Sequence, residues 1–215
     1  MKKSKRSDVD PFIVMDVMES ARIAEEKGKD IIHMEVGQPG TPAPKIAKDY
    51  ITNEINKNNL GYTVSLGLPA LRTKISKLYG DWYNLDLNPN RIVVTTGSSG
   101  AFILSFSALF DSGDRVGIGS PSYPSYRQIL KSLSLETVDI QTKLQNRFQP
   151  VPEDITNNNL NGILVASPAN PTGSMLDKQS LENLINTANE NNVSFISDEI
   201  YHGIQYENNP TSALE

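Results

Sequence analysis

From Arg91 onward, short apolar runs alternate with longer amphipathic segments, and this alternation restricts the possible folds more than any other feature of the sequence. The predicted strands are 92–95, 115–119, 135–140, 162–166 and 193–197, and the predicted helices between them are 99–110, 126–132 and 176–191. Apolar strands joined by amphipathic helices predict an α/β protein whose mostly parallel sheet is covered on both faces. Ligands bind beyond the carboxyl ends of such strands, so the loops that follow the strands form the candidate site.

The first 90 residues carry helical patterns and rigid connectors rather than a series of strands. Helices are predicted over 11–27, 45–56 and 69–83, and a short extended run is predicted over 31–36. Gly28 closes the first helix, and three prolines between residues 39 and 44 stiffen the connector before the second.

Composition excludes several classes of protein. The 215 residues carry a net charge of -5, which argues against nucleic acid as a partner. No apolar stretch approaches the ~20 residues that cross a bilayer, so we predict no membrane association and a cytoplasmic location. The chain has no cysteine and two distant histidines, which excludes disulfides and thiolate chemistry and offers no spacing for a zinc site.

The segment Thr-Thr-Gly-Ser-Ser-Gly at 95–100 joins a predicted strand to a predicted helix. Free backbone N–H groups at a helix start, with the hydroxyls of Ser98 and Ser99 beside them, suit a phosphate group. An ordinary serine N-cap explains the same residues, and the segment by itself leaves both interpretations open.

Four further side chains follow predicted strands. Tyr123 can stack on a planar ring or pack on the sheet. The Asn170 amide can donate to a phenolate oxygen or simply favour its Pro-rich turn. Asp198 ends an apolar strand, and a partly buried carboxylate needs a cation or hydrogen bonds, which a protonated pyridine nitrogen, a helix N-cap or an ion pair would provide. Tyr201, three residues on, can reach the same ligand or pack.

In combination, these motifs resemble the fold-type I pyridoxal-phosphate (PLP) enzymes, specifically class I and II aminotransferases of the aspartate aminotransferase family. The resemblance covers nearly the whole chain after its basic start. The matching segments are Val-Gly-Gln-Pro at 36–39, Gly-Tyr-Thr at 61–63, Gly-Leu-Pro-Ala-Leu-Arg at 67–72, Thr-Gly-Ser-Ser-Gly-Ala at 96–101, Gly-Asp-Arg-Val at 113–116, Pro-Ser-Tyr-Pro at 121–124, Asn-Pro-Thr-Gly at 170–173 and Asp-Glu-Ile-Tyr at 198–201.

The resemblance implies a role for each matching position. Ser98 and Ser99 would bind the cofactor phosphate with help from the backbone of Gly97, and Tyr123 would stack on the pyridine ring. Asn170 and Tyr201 would hydrogen-bond the 3′ oxygen of the ring. Asp198 would hold the ring nitrogen.

Two further roles follow from the same resemblance. Tyr62 would reach the phosphate of the neighbouring subunit, which implies a homodimer with shared active sites. Gly37 would lie near the carboxylate of the substrate.

The chain departs from the family in lacking its Schiff-base lysine and the downstream arginine that binds the substrate carboxylate. The family carries its Schiff-base lysine a few tens of residues beyond the aspartate of this motif, and the last lysine here is Lys178. We therefore expect that lysine beyond Glu215, no catalytic residue within the chain, and no activity of the chain alone. The implied fold is a PLP-dependent transferase-like three-layer sandwich, incomplete at the C-terminus, with residues 1–40 as an N-terminal arm or part of the small domain and 41–215 as an incomplete PLP-binding large domain.

Three functions follow from these observations. The first is an aminotransferase that moves an amino group from an L-amino acid to a 2-oxo acid. The second is a PLP-dependent C–S lyase or synthase of the same fold, although Thr172-Gly173-Ser174 fits the transaminase pattern better than the Gly-Arg turn expected of such lyases. The third, of another class, is a non-catalytic PLP-binding or interaction protein.

Overall fold

The structure is a computed structural model that describes residues 2–57, 60–206 and 208–215. The chain forms two compact units. One unit is Pro11–Leu68, and the other combines Met1–Asp10 with Pro69–Glu215. The boundary expected between residues 40 and 41 concerns the domains of the family and stays a prediction.

In the described part of the unit Pro11–Leu68 there are two helices, α1 (Ile13–Glu26) and α2 (Lys45–Ile55). Both lie where the sequence predicts them, and Gly28 ends the turn after α1 with a φ of 81°, a value that glycine adopts without strain. The extended run predicted at 31–36 is not a strand. A strand needs a hydrogen-bonding neighbour, and the described part of this unit contains no other strand.

The larger unit contains the sheet and the helices that cover it. Its elements, in chain order, are α3 (Pro69–Tyr83), α4 (Gly97–Leu109), β1 (Arg115–Ser120), α5 (Pro124–Ser132), β2 (Glu136–Gln141), α6 (Pro152–Thr156), β3 (Gly162–Ala166), α7 (Lys178–Glu190) and β4 (Ser194–Asp198). None of the helices in the described residues is both long enough and apolar enough to cross a lipid bilayer.

The four strands form one parallel sheet in the order β2-β1-β3-β4. Successive side chains of a strand point to opposite faces, and β3 shows this directly. Leu164 packs into the apolar cluster formed with α4 and α5, whereas Ile163 and Val165 pack into the cluster formed with α6 and α7. Helices therefore cover both faces, and the predicted three-layer α/β sandwich with a parallel sheet is confirmed.

The strand predicted over 92–95 does not form. Ile92 has extended dihedral angles, with φ -102° and ψ 126°, but the described residues supply no neighbouring strand with which this segment pairs. Its apolar, β-branched residues favour extended backbone, and pairing is what turns extended backbone into a sheet strand.

Candidate functional site

The strand order creates a crevice at the carboxyl ends of the central strands. The chain leaves β1 toward β2 on one side, and β3 lies on the other side of β1. Loops that leave neighbouring parallel strands in opposite directions open a crevice between them, where α/β proteins bind their ligands. The sequence places its candidate residues at this edge of the sheet.

A cavity of about 140 Å³ lies at this edge. It is lined by Ser98, Tyr123, Tyr126, Asn170, Asp198, Ile200 and Tyr201. The structure thus brings together five of the residues selected from the sequence, although they are spread over about a hundred positions of the chain, from Ser98 to Tyr201. Gly97 and Ser99 flank Ser98 in the first turn of α4 but do not line the cavity.

Asp198 is the buried acidic residue of this cavity, with 9% of its surface exposed. Its Oδ2 accepts a hydrogen bond of 2.5 Å from the Tyr126 hydroxyl, and its Oδ1 accepts one of 3.1 Å from the Ile200 N–H. Both donors are neutral, and no ion pair to Asp198 occurs within the described ranges. The carboxylate therefore keeps its negative charge available to a cationic ligand group.

Sequence reasoning missed two residues of the cavity lining, the apolar Ile200 and the polar Tyr126. Burial and the hydrogen bond to Asp198 raise the pKa of its phenol well above the usual value, so the hydroxyl keeps its proton and donates to the carboxylate. The segment Pro-Ser-Tyr-Pro-Ser-Tyr already contains it, three residues after Tyr123. That spacing places both rings at the start of α5, where they meet edge to face with centroids 5.5 Å apart.

Asn170 and Tyr201 lie side by side in the cavity lining. The Asn170 Nδ2 donates to the Tyr201 hydroxyl oxygen over 3.4 Å, a long hydrogen bond. Both side chains are half-buried and line the cavity. An amide and a phenol held this close can donate jointly to one oxygen.

The start of α4 supplies the backbone part of the site. The N-cap residue Thr96 makes no side-chain hydrogen bond to the first turn, and Gly97 has a φ of 77°. The leading N–H groups of a helix have no partner within the helix, and the helix dipole favours an anion there. With Ser98 in the cavity lining, this end of α4 is suited to a phosphate.

A larger cavity of about 670 Å³ adjoins the first and shares Asn170 and Tyr201 with it. The turn 168–175 and the segment that follows Tyr201 form its walls, and Arg147 also lines it. A small organic molecule could reach Asn170 and Tyr201 from this side.

Gly37 and Tyr62, the two remaining predicted site residues, belong to the unit Pro11–Leu68. Tyr62 lies in a loop and its side chain is fully exposed, while Gly37 has open space where a side chain would begin. Their roles stay predictions.

The fold and the site define an α/β protein with a polar cavity at the carboxyl edge of a parallel sheet. Residues 29–214 match the family of aminotransferases of class I and II. This chain therefore belongs to the class I and II aminotransferase family.

Known relatives agree with this assignment. The chain is 40% identical to the valine–pyruvate aminotransferase of Mycobacterium tuberculosis, with 97% of this chain and 54% of the relative covered. It is 34% identical to the aspartate aminotransferase of Thermotoga maritima, with 94% of this chain and 54% of the relative covered. An aminotransferase crystal structure from Mycobacterium tuberculosis superposes with a TM-score of 0.92 at 39% identity, with 99% and 55% covered. The chain thus spans about half the length of the curated relatives it matches.

Proposed function

We propose that this chain binds pyridoxal 5′-phosphate in the cavity beside Asp198 and belongs to an enzyme that moves an amino group from an L-amino acid to a 2-oxo acid. The observation that carries the proposal is the convergence of a buried carboxylate, an amide, three phenols and a serine at one helix start on one cavity. That donor set is complementary to a pyridine ring with a phenolic oxygen and a phosphate.

The size of the cavity supports the proposal. A cavity of about 150 Å³ holds a benzene ring, and the cavity beside Asp198 measures about 140 Å³. The start of α4 lies at the margin of this cavity. A pyridine ring bound in the cavity would therefore place the phosphate of the cofactor at the N–H groups beside Ser98.

Each residue has a distinct task in this proposal. Asp198 accepts a hydrogen bond from the ring nitrogen and keeps that nitrogen protonated, and Tyr126 holds the carboxylate in place. Asn170 and Tyr201 donate to the phenolic oxygen, and Tyr123 stacks on the ring. When bound, the cofactor supplies an electron sink for chemistry at the substrate Cα.

The cavity lining contains no lysine in the described part of the chain, and amino transfer needs a lysine to hold the cofactor and move a proton. We therefore expect these 215 residues to bind the cofactor without a covalent link and without turnover. Valine and aspartate, which appear in the names of relatives, are the first amino acids to test.

The proposal includes three further assignments. Tyr62 of one subunit reaches the phosphate in the site of its neighbour, which makes the functional form a homodimer. Gly37 lies near the substrate carboxylate. The location is cytoplasmic.

A titration with pyridoxal 5′-phosphate, followed by absorbance and by the mass of the protein after borohydride, tests the proposal. We expect saturable binding by the unmodified chain and no added mass. Asp198→Asn keeps the shape and removes the charge, so we expect it to weaken binding about tenfold or more. Asp16→Asn, at an exposed position of α1, is the control and should bind normally.

The outcomes separate the parts of the proposal. If neither the unmodified chain nor the control binds, the cofactor assignment is wrong. Mass added by borohydride at a lysine, or turnover with valine or aspartate, would overturn only the expectation of non-covalent binding. Breakdown of an amino acid without a 2-oxo acid acceptor would favour the C–S lyase alternative.

A further inference from the structure

The turn that follows Asp198 contains a buried imidazole to which neither the sequence nor the proposed function gives a role. The His202 side chain is 5% exposed, although the chain continues at the surface immediately after it. Burying a titratable ring is unfavourable unless its polar atoms are satisfied, so its partners indicate what it does.

Both ring nitrogens of His202 have defined partners. The Nε2 lies 2.9 Å from the Ser167 carbonyl oxygen, and the Nδ1 lies 2.5 Å from the Tyr83 hydroxyl oxygen. A carbonyl oxygen only accepts, so Nε2 must carry the proton. In the neutral ring Nδ1 then accepts from Tyr83. Burial and the nearby Glu199 raise the pKa of the Tyr83 phenol to about 12, so its proton remains available for this bond.

Glu199 is the acidic group that faces the ring, and it is held by other donors. Its Oε2 lies 3.8 Å from Nδ1, which is too long for a hydrogen bond. The same carboxylate accepts from the Ser212 hydroxyl, the Ala213 N–H and the Ser197 hydroxyl. Glu199 is therefore not a hydrogen-bond partner of the ring, and the partner of Nδ1 is the Tyr83 hydroxyl.

Ser167 connects His202 to the turn that leads to the cavity residue Asn170. Its N–H donates to the Asp198 carbonyl oxygen, and its hydroxyl accepts from the Leu176 N–H. With His202 on its carbonyl, Ser167 is fixed through three of its polar groups. It begins the turn that carries Asn170, while His202 directly follows Tyr201 in the chain.

We propose that His202 is a positioning residue. Held by Tyr83 of α3, it fixes the turn that carries Asn170 against the turn that carries Tyr201. It thereby determines the relative position of the Asn170 amide and the Tyr201 phenol in the cavity. This inference rests on the proposed function for its meaning, but its geometry can be tested without the cofactor. A close contact supports it: a Cβ atom on Gly203 would lie 2.8 Å from the Trp82 ring, so α3 packs directly on the turn that holds His202.

The first test reads the tautomer by nitrogen NMR of the full chain. His33→Gln removes the other of the two histidines, so every remaining imidazole signal belongs to His202. We expect a protonated Nε2 and an unprotonated, hydrogen-bonded Nδ1. Tyr83→Phe, which removes only the donor, should shift the Nδ1 signal toward that of a free acceptor. A doubly protonated ring at neutral pH, or a mixture of tautomers, would overturn the proposal.

The second test reads the position of Asn170 in the absence of cofactor. Its side-chain NH₂ signals can be assigned by their loss in Asn170→Asp. We expect His202→Ala to move these signals and His202→Gln, whose amide N–H can still donate to Ser167, to restore them. Unchanged signals in a folded His202→Ala protein would overturn the proposal. If that variant does not fold, Tyr83→Phe is the deciding comparison, and unchanged Asn170 signals in it have the same meaning.

The third test links the geometry to ligand binding. With pyridoxal 5′-phosphate as the probe, we expect His202→Ala to weaken binding about tenfold and His202→Gln to bind within about twofold of the unmodified chain. Equal binding by all three proteins would overturn the positioning role. If no protein binds the probe, the proposed function fails, and the NMR result still decides the role of His202.

Discussion

A single buried carboxylate sets most of the chemistry of this site. Asp198 ends β4 with both oxygens hydrogen-bonded to neutral donors, Tyr126 and the Ile200 backbone. Neutral donors stabilise the charge without cancelling it, so the carboxylate can still attract a cation. The sequence indicated that this aspartate is buried, but not which donor would satisfy it.

Removing the Tyr126 hydroxyl should therefore destabilise the fold as well as disturb the site. In Tyr126→Phe the Oδ2 of Asp198 loses its donor in a buried position, and we expect the free energy of unfolding to fall by about 1–3 kcal/mol. Urea denaturation followed by circular dichroism measures the change. Tyr206→Phe, at a fully exposed ring, is the matched control and should leave the midpoint unchanged. Equal urea midpoints for Tyr126→Phe and Tyr206→Phe would contradict the stabilising role of the hydrogen bond between Tyr126 and Asp198.

At the scale of elements, the sequence predicted α3, β3 and most helices to within a residue or two, because their patterns are local. It failed at 92–95, where the residues favour extended backbone but the described chain offers no strand to pair with them. It also gave no prediction for α6, a helix of five residues that is too short to show periodicity.

The start of α7 provides a test at this scale. Asp177 is its N-cap, and its carboxylate accepts from the Ser180 N–H over 2.8 Å. We expect Asp177→Ala to lower the free energy of unfolding by about 1 kcal/mol. Asp177→Asn keeps a capping oxygen and should lose much less at neutral pH. Denaturant midpoints of the three proteins measure both effects.

The same residue predicts a dependence on pH. The Ser180 N–H holds the pKa of the Asp177 carboxyl below its usual 3.8. Because the folded-state pKa is the lower one, the charged cap stabilises the fold above about pH 4 and the stabilisation is lost as the pH falls through the folded-state value. Asp177→Asn should remove this part of the acid dependence. Identical curves of stability against pH for the unmodified chain and for Asp177→Asn would contradict this prediction.

At the scale of the whole molecule, the sheet and the helix layer that contains α4 pack so closely that Gly162 has no space for a side chain. A Cβ atom on Gly162 would lie 2.2 Å from the Phe110 ring, a distance that requires the layers to shift. We expect Gly162→Ala to destabilise the fold by about 1–3 kcal/mol through overpacking. Gly40→Ala, where a side chain meets open space, is the control. Thermal unfolding compares the two, and a midpoint of Gly162→Ala equal to that of the control would show that the layers adapt freely.

The sequence by itself determined the fold class, the edge of the sheet at which the cavity lies, and five residues of the cavity lining. These follow from local patterns: hydrophobic periodicity, turn residues, and polar groups directly after strands. Only the tertiary structure decided which side chains meet. Tyr126 and Asp198 lie 72 residues apart in the chain, and Tyr83 and His202 lie 119 apart. Such pairs depend on the order of strands in the sheet and on how each helix packs across it, and no local pattern contains either.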